Sequence, residues 1–343
     1  MKIILTFLLI AITSGQALAR ETRWQTLLKS NDRPRIADVV SAFDGKIPTE
    51  NPVPFDESIS WSNIGRTFNP TLSGYSKLFM KDVPQTIARM ERAYPGAIWV
   101  FVGRDSAALG DIVDAFYMSI GQPNRVRRLE MGSDGNRNTN VYLKYLTQLG
   151  CPLSPKELKK SPPFIFVDRT SYGTWRESPS QVDLKVVYQE FENNGGKRAD
   201  LVRRINYLTT EPVTIGQTLG TSHGVNGSVV TRTNVEKYFD TQSEEIASDG
   251  GIPSEILALK SNFTDLPEWH ESFTGLQTKK GKIVAVHGAV TDESMRTRIL
   301  WEMIESINAA KSPQFFKQVN EFLVKLGAKP LTKKKSCLDA LKD

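Results

Sequence analysis

The chain has 343 residues, of which 39% are hydrophobic and 24% charged, with a formal net charge of +6. Those proportions belong to a folded soluble chain and exclude a disordered one, and the length suffices to bury roughly three quarters of the unfolded surface. Cys151 and Cys337 are the only two cysteines, too few for a disulfide framework but enough for one bridge in an oxidising compartment; neither stands at a metal-binding or redox spacing.

At the amino end Lys2 precedes an apolar stretch from Ile3 to Ile12, and Ala17-Leu18-Ala19 puts small residues where signal peptidase reads them. This order of features predicts a secretory signal peptide over residues 1–19, cleaved after Ala19, and hence a secreted or periplasmic protein. The stretch is too short to remain as a membrane span, and no later segment has a sustained apolar run. Residues 20–83 have weak periodicity and contain Asn51-Pro52-Val53-Pro54, and are expected to form an N-terminal arm.

From Pro84 the pattern changes. Ile87, Met90 and Tyr94 recur at helical spacing until Pro95-Gly96. Ala97 to Val102 is a near-continuous apolar run, as expected of a strand covered on both faces. Gly103-Arg104-Asp105-Ser106 interrupts it, and Leu109, Ile112, Val113, Phe116 and Ile120 then mark a helix, with Asp111 and Asp114 placed near its positive start. A second strand is expected within Arg125–Met131, a helix from Tyr142 to Leu149, and a third strand over Phe164–Val167 ending at Asp168. A further helix follows through Val182, Val186 and Phe191. Strands and helices alternating in this way predict an α/β fold, a parallel sheet flanked by helices.

The last third is less regular, with strands expected at Ile205–Leu208 and Ile283–Val286. Two helical additions follow, one through Ile299, Leu300, Met303, Ile304 and Ile307, the other through Phe315, Phe316, Val319, Phe322, Leu323 and Leu326. The α/β domain is thus expected over 84–327 and a flexible basic tail over 328–343. The runs Arg125, Arg127, Arg128 and Lys333-Lys334-Lys335 read as solvated faces; no aromatic-interleaved basic motif accompanies them, so no nucleic-acid partner is expected.

In a parallel sheet, ligands bind beyond the carboxyl ends of the strands. Gly103, Arg104, Asp105 and Ser106 offer a close backbone approach, amides at a helix start and an arginine that can grip phosphate. Asp168 stands at a strand end before Thr170, Ser171, Gly173 and Thr174, a turn able to donate amides and hydroxyls to phosphate while the acid accepts from sugar hydroxyls. The same residue types also cap helices and build turns without any ligand.

This loop pair, with one intervening strand, resembles the type I phosphoribosyltransferase fold over residues 84–210. The resemblance implies a phosphoribosyltransferase-like core in which Gly103, Arg104, Asp105 and Ser106 lie at a pyrophosphate loop, Asp168 faces ribose hydroxyls, and Thr170, Ser171, Gly173 and Thr174 hold a 5′-phosphate. If the protein is catalytic, it implies a transferase in which Arg104 stabilises developing negative charge and Asp168 positions hydroxyls, with Mg2+ as the accompanying ion. The family's second acid is Arg169 here, and the turn's glycine falls one place later. The expected ligand is small and phosphorylated or otherwise anionic.

Two alternatives belong to other classes. A non-catalytic envelope or secreted interaction protein would use the arm or the last third to hold a protein partner. A cell-wall-active enzyme is suggested by Thr221-Ser222-His223-Gly224-Val225-Asn226-Gly227, which is similar to the active-site stretch of L,D-transpeptidases. In that family the residue after His-Gly is a cysteine. Val225 stands there instead, and it cannot attack a carbonyl. His223, His270 and His287 are the only histidines, and none pairs with another at a metal-binding spacing.

Overall fold

Two strands with apolar side chains on both faces organise the fold. The computed structural model describes residues 25–30, 33–49, 72–103, 107–130, 138–168, 184–201, 204–209, 273–287 and 293–338. The first strand, β1 (Ile98–Val102), is flanked on one side by β2 (Val126–Leu129) and on the other by β3 (Phe164–Asp168). With β4 (Ile205–Thr209) beyond β3, the order is β2-β1-β3-β4, and every neighbouring pair is parallel. Trp99, Phe101, Ile165 and Val167 project into one buried cluster, and Val100, Val102, Phe164 and Phe166 into another. Successive strand residues point to opposite faces, so covering both faces is what makes these runs continuously apolar.

The helices that cover the two faces are fixed by the direction of each crossover. The connection from β1 to β2 runs one way through α3 (Ala107–Ser119). The connections from β2 to β3 through α4 (Thr139–Leu149) and the short α5 (Pro155–Leu158), and from β3 to β4 through α6 (Leu184–Asn193) and α7 (Arg198–Leu201), run the other way. Right-handed crossovers then put α3 on one face and α4 and α6 on the other. The cores agree: Leu109, Ile112, Val113 and Phe116 of α3 pack with Trp99 and Phe101, whereas Tyr142 and Leu146 of α4 and Val187 and Phe191 of α6 pack with Val100 and Phe166. The chain is thus α/β, a parallel sheet flanked by helices.

On the α3 face the layer is extended by segments from both ends of the chain. They are α1 (Ile36–Ala42), α2 (Leu72–Ala93), α8 (Glu293–Lys311) and α9 (Pro313–Lys325). Ile36, Val39 and Val40 of α1 are buried with Ile299, Leu300 and Met303 of α8, so α1, within the expected arm, is part of the core. The helix expected from Pro84 begins at Leu72 and carries Pro84 in its interior. A proline there removes one backbone hydrogen bond. Packing of α2 against α8 and α9 outweighs that loss, which is why the proline does not mark a start.

The other face carries a feature with no sequence expectation for its first strand. β5 (Phe273–Lys279) pairs antiparallel with β6 (Lys282–His287), and this hairpin leans on α4 through Ile283 and Leu276. The tail expected to be loose from residue 328 is instead laid on the core as far as 338. Leu338 is fully buried, and the amides of Lys334 and Cys337 donate to the carbonyls of Ile120 and Met118. Cys337 packs on the α3 face and Cys151 on the opposite one, and both are free thiols. No helix among the described residues is long and apolar enough to cross a membrane.

Candidate functional site

The strand order fixes where the connections diverge. β1 is followed by α3 on one face and β3 by α6 on the other, so the two connections diverge between these neighbouring strands. That divergence is a topological switch point, the place where open α/β sheets bind ligands. Phe101 lies opposite Val167, so Val102 and Asp168, one step further on, end adjacent strands about 5 Å apart. The two loops singled out in the sequence start from these ends.

Gly103 leaves β1 with φ +62, in the left-handed region where a glycine costs least, and its N–H donates to the Leu129 carbonyl at 2.9 Å. This bond ties the start of the first loop to the end of β2. Asp168 closes β3 and pairs with Thr209 of β4. Arg104, Asp105, Ser106, Thr170, Ser171, Gly173 and Thr174 lie outside the described residues, as do His223 and Val225. Sequence and strand register therefore bring Gly103 and the Asp168 backbone to one rim. The parallel topology also brings the amino ends of α3, α4 and α6 there, and Asn138 caps α4 by accepting from the amides of Asn140 at 3.0 Å and Val141 at 3.4 Å.

Beside this rim, against the end of β2, lies a buried charged cluster that sequence reasoning missed. Asp111 of α3 accepts from Arg33 at 2.7 Å through one carboxylate oxygen and from Arg128 of β2 through the other. Side chains of Arg33 and Asp111 are 1% and 4% exposed. Arg128 also donates to the Pro34 carbonyl at 2.8 Å, which pins the N-terminal segment across the edge of the sheet. Burial, and then the neighbouring Arg33, lower the Arg128 pKa to about 9. Arg128 is thus no part of a solvated face: it reaches inward to the Asp111 carboxylate and the Pro34 carbonyl, partners that a buried guanidinium needs.

A second tier surrounds Asp114, one turn further along α3. Burial pushes its carboxyl up to about 7, although Arg127 and Arg35 pull the other way. Arg35 is itself engaged with Asp38 in a capping box at the start of α1. A carboxylic acid that titrates near neutrality can take up or release a proton at working pH. The signal for both acids was present in the sequence. Ala107–Ser119 is apolar almost all round, so Asp111 and Asp114 had no solvated face to occupy and needed partners inside.

Arg125 serves the opposite, amino-terminal edge. Glu91 of α2 accepts from Arg125, from the Tyr117 hydroxyl and from the Gly96 amide at 3.3 Å; Trp99 Nε1 donates to Tyr117 Oη at 3.1 Å, and Arg125 Nε donates to the Ala97 carbonyl at 2.6 Å. The Arg125 guanidinium lies 4.6 Å from the centre of the Tyr117 ring. Burial, then Glu91, raises the Tyr117 pKa well above its ordinary value, so the phenol stays neutral and donates. This network is closed on itself and holds α2, β1 and α3 together.

No protein family, no curated protein and no solved structure matches the chain.

Proposed function

We propose that this chain is an exported α/β protein whose carboxyl rim between β1 and β3 binds a small phosphorylated or otherwise anionic ligand, in the manner of a phosphoribosyltransferase-like core. The observation that supports this reading is the strand order: the strands preceding both candidate loops are parallel neighbours, and the crossovers that follow them run in opposite directions. Gly103, Arg104, Asp105 and Ser106 would receive the leading phosphate, with the amides at the start of α3 adding positive potential. Asp168 would accept from hydroxyls, and Thr170, Ser171, Gly173 and Thr174 would hold a second phosphate.

The proposal is one of binding. Mg2+ is held by one or two carboxylates together with ligand phosphates. The two loops carry the carboxylates Asp105 and Asp168, and Asp168 is followed by the cation Arg169 instead of a second acid, so any Mg2+ would be held largely by the ligand's own phosphates. Export rests on the order of Lys2, the apolar stretch Ile3–Ile12 and Ala17-Leu18-Ala19.

Thermal-shift measurements on the purified protein against nucleotides, sugar phosphates and phosphoribosyl pyrophosphate test the site. A ligand at about a hundred times its Kd adds about 2.7 kcal/mol of stability, a rise of several degrees. Asp168→Ala is expected to abolish the rise while leaving the unliganded melt in place. No rise with any of these compounds, in a wild-type protein that melts cooperatively, overturns the reading.

A further inference from the structure

The turn joining β5 to β6 breaks two local rules at once. Lys280 and Gly281 both have positive φ, +51 and +76, which makes the tip a two-residue turn of the kind that favours Asn-Gly. Lysine occupies the first position instead, in a left-handed conformation that costs a side chain with a Cβ. On either side of it Lys279 lies directly opposite Lys282 in the antiparallel register, and like charges so placed repel. All three lysines are exposed. Neither the hairpin nor α4 beneath it contains an acidic residue, and none of the three lysines is ion-paired among the described residues.

The tip is also held firmly. The Gln148 side chain of α4 donates to the Ile283 carbonyl at 3.0 Å and accepts from the Ile283 amide at 2.6 Å, which locks β6 to the helix. Lys144, one turn earlier on α4 and exposed, adds a fourth positive charge on the same face as Gln148. Local rules broken without a compensating contact mark a functional position.

We propose that the β5–β6 tip, through Lys279, Lys280 and Lys282 with Lys144 behind them, is a docking surface for an anionic lipid headgroup layer. Three features favour this partner over nucleic acid or an acidic groove. The tip is a two-residue turn at the end of a hairpin, with too few residues to enclose a ligand by itself. Its charges are all lysines, hydrated point charges on flexible stems that suit a diffuse negative plane better than paired recognition of single phosphates. Among the described side chains, its exposed residues, Thr274, Gln277, Thr278 and the lysines, include no ring on which a base could stack. Attraction is purely electrostatic, because among the described residues only Val324, far along on α9, is a large exposed hydrophobic.

Co-sedimentation of the purified protein with vesicles tests this. The protein is expected to pellet with phosphatidylcholine mixed with an equal part of phosphatidylglycerol and to stay in solution with phosphatidylcholine alone. Binding is expected to vanish as salt rises from about 0.1 M to about 1 M, where the screening length falls from roughly 10 Å to roughly 3 Å. Each lysine near such a surface changes affinity about fivefold, so the variant Lys279→Gln, Lys280→Asn, Lys282→Gln is expected to bind about a hundredfold more weakly. Lys280→Asn alone, which suits the turn and keeps the fold, is expected to lose about fivefold. Replacing Lys333, Lys334 and Lys335 with glutamine is expected to leave binding unchanged. Equal pelleting with both vesicle types overturns the proposal. So does full binding by the triple tip variant, or a preference for single-stranded DNA over the anionic vesicles.

Discussion

Arg33 and Asp111, separated by 78 positions in the chain, meet at 2.7 Å with almost no exposed side-chain surface on either. Arg128 occupies the second oxygen of the same carboxylate. One acid therefore compensates two buried guanidiniums and joins the N-terminal segment, α3 and β2. Such clusters contribute little over an apolar replacement of the whole, but removing one member strands the others in a medium that cannot solvate them.

Asp111→Ala is accordingly expected to destabilise the fold by about 3–5 kcal/mol. Asp111→Asn, which keeps the shape but removes the negative charge that both arginines share, is expected to fall in the same range. Urea midpoints of the two variants at fixed pH measure this, and a loss within about 0.5 kcal/mol of a typical surface substitution would contradict the cluster.

Asp114 governs the pH dependence between its unfolded and folded pKa values. Its carboxyl sits at about 7 in the fold against an ordinary 3.8, chiefly through burial. Between those values the folded state binds more protons than the unfolded one, so stability falls as pH rises. The contribution is fully present below 3.8 and is lost once pH passes through about 7. Asp38 acts with the opposite sign and in another window. Burial alone would raise its pKa, but the hydrogen bonds and charge of Arg35 together outweigh burial and lower it, so its contribution is lost only as pH falls below the ordinary carboxylate range. Asp114→Asn is expected to flatten the slope between about pH 5 and about pH 7 and to be more stable than the wild type at about pH 8. Urea melts across that range decide the matter: an unchanged slope in the variant would remove Asp114 from this role.

What the sequence made legible follows from distance along the chain. Ala97–Val102 and Phe164–Val167 were readable as strands because burial on both faces leaves a continuous apolar signature, and α4 was readable because Tyr142, Tyr145, Leu146 and Leu149 repeat at helical spacing. That the strand ends at Val102 and Asp168 share one rim followed from the alternation of elements, since parallel strands put all their carboxyl ends on one side, but their being neighbours is set by the strand order, which the alternation does not encode. β5 was hidden because Thr274, Gly275, Gln277 and Thr278 give no alternating pattern. The charged cluster was hidden because its partners, Arg33, Asp111 and Arg128, come from three segments that only the fold assembles. The tail was misread because its lysines dominate the composition, while Leu331, Cys337 and Leu338 are what pack.

That packing depends on Gly121. A Cβ there would stand 2.5 Å from the Lys335 carbonyl oxygen and 2.8 Å from the Lys334 Cβ, and φ is +75. Gly121→Ala therefore meets backbone that cannot move without releasing the tail, and adds the cost of a left-handed alanine. A loss of about 1 kcal/mol or more is expected, with the Lys334–Ile120 and Cys337–Met118 hydrogen bonds broken. Limited trypsin digestion reads this directly: cleavage after Lys333, Lys334 and Lys335 is expected to accelerate in the variant and to precede any cut in the sheet. Equal cleavage rates would show that the tail is not seated on Gly121.

The two cysteines give the last test, because they lie on opposite sides of the sheet. Cys151 packs with Val100 and Phe164, while Cys337 packs on the cluster containing Trp99 and Ile165. Helix layers and sheet are about 10 Å apart, so the two sulfurs cannot approach to bonding distance without unfolding, even in an oxidising compartment. Burial first, and then Glu157, drive the Cys151 thiol pKa far upward, which leaves it without the thiolate needed for reaction. Cys337 is only half-buried. In the native protein a maleimide is expected to label one thiol, at Cys337, and the second is expected to react only after denaturation. Mass spectrometry under non-reducing conditions is expected to recover both cysteines as separate peptides; a Cys151–Cys337 cross-linked peptide from folded protein would overturn the placement of the tail on the α3 face.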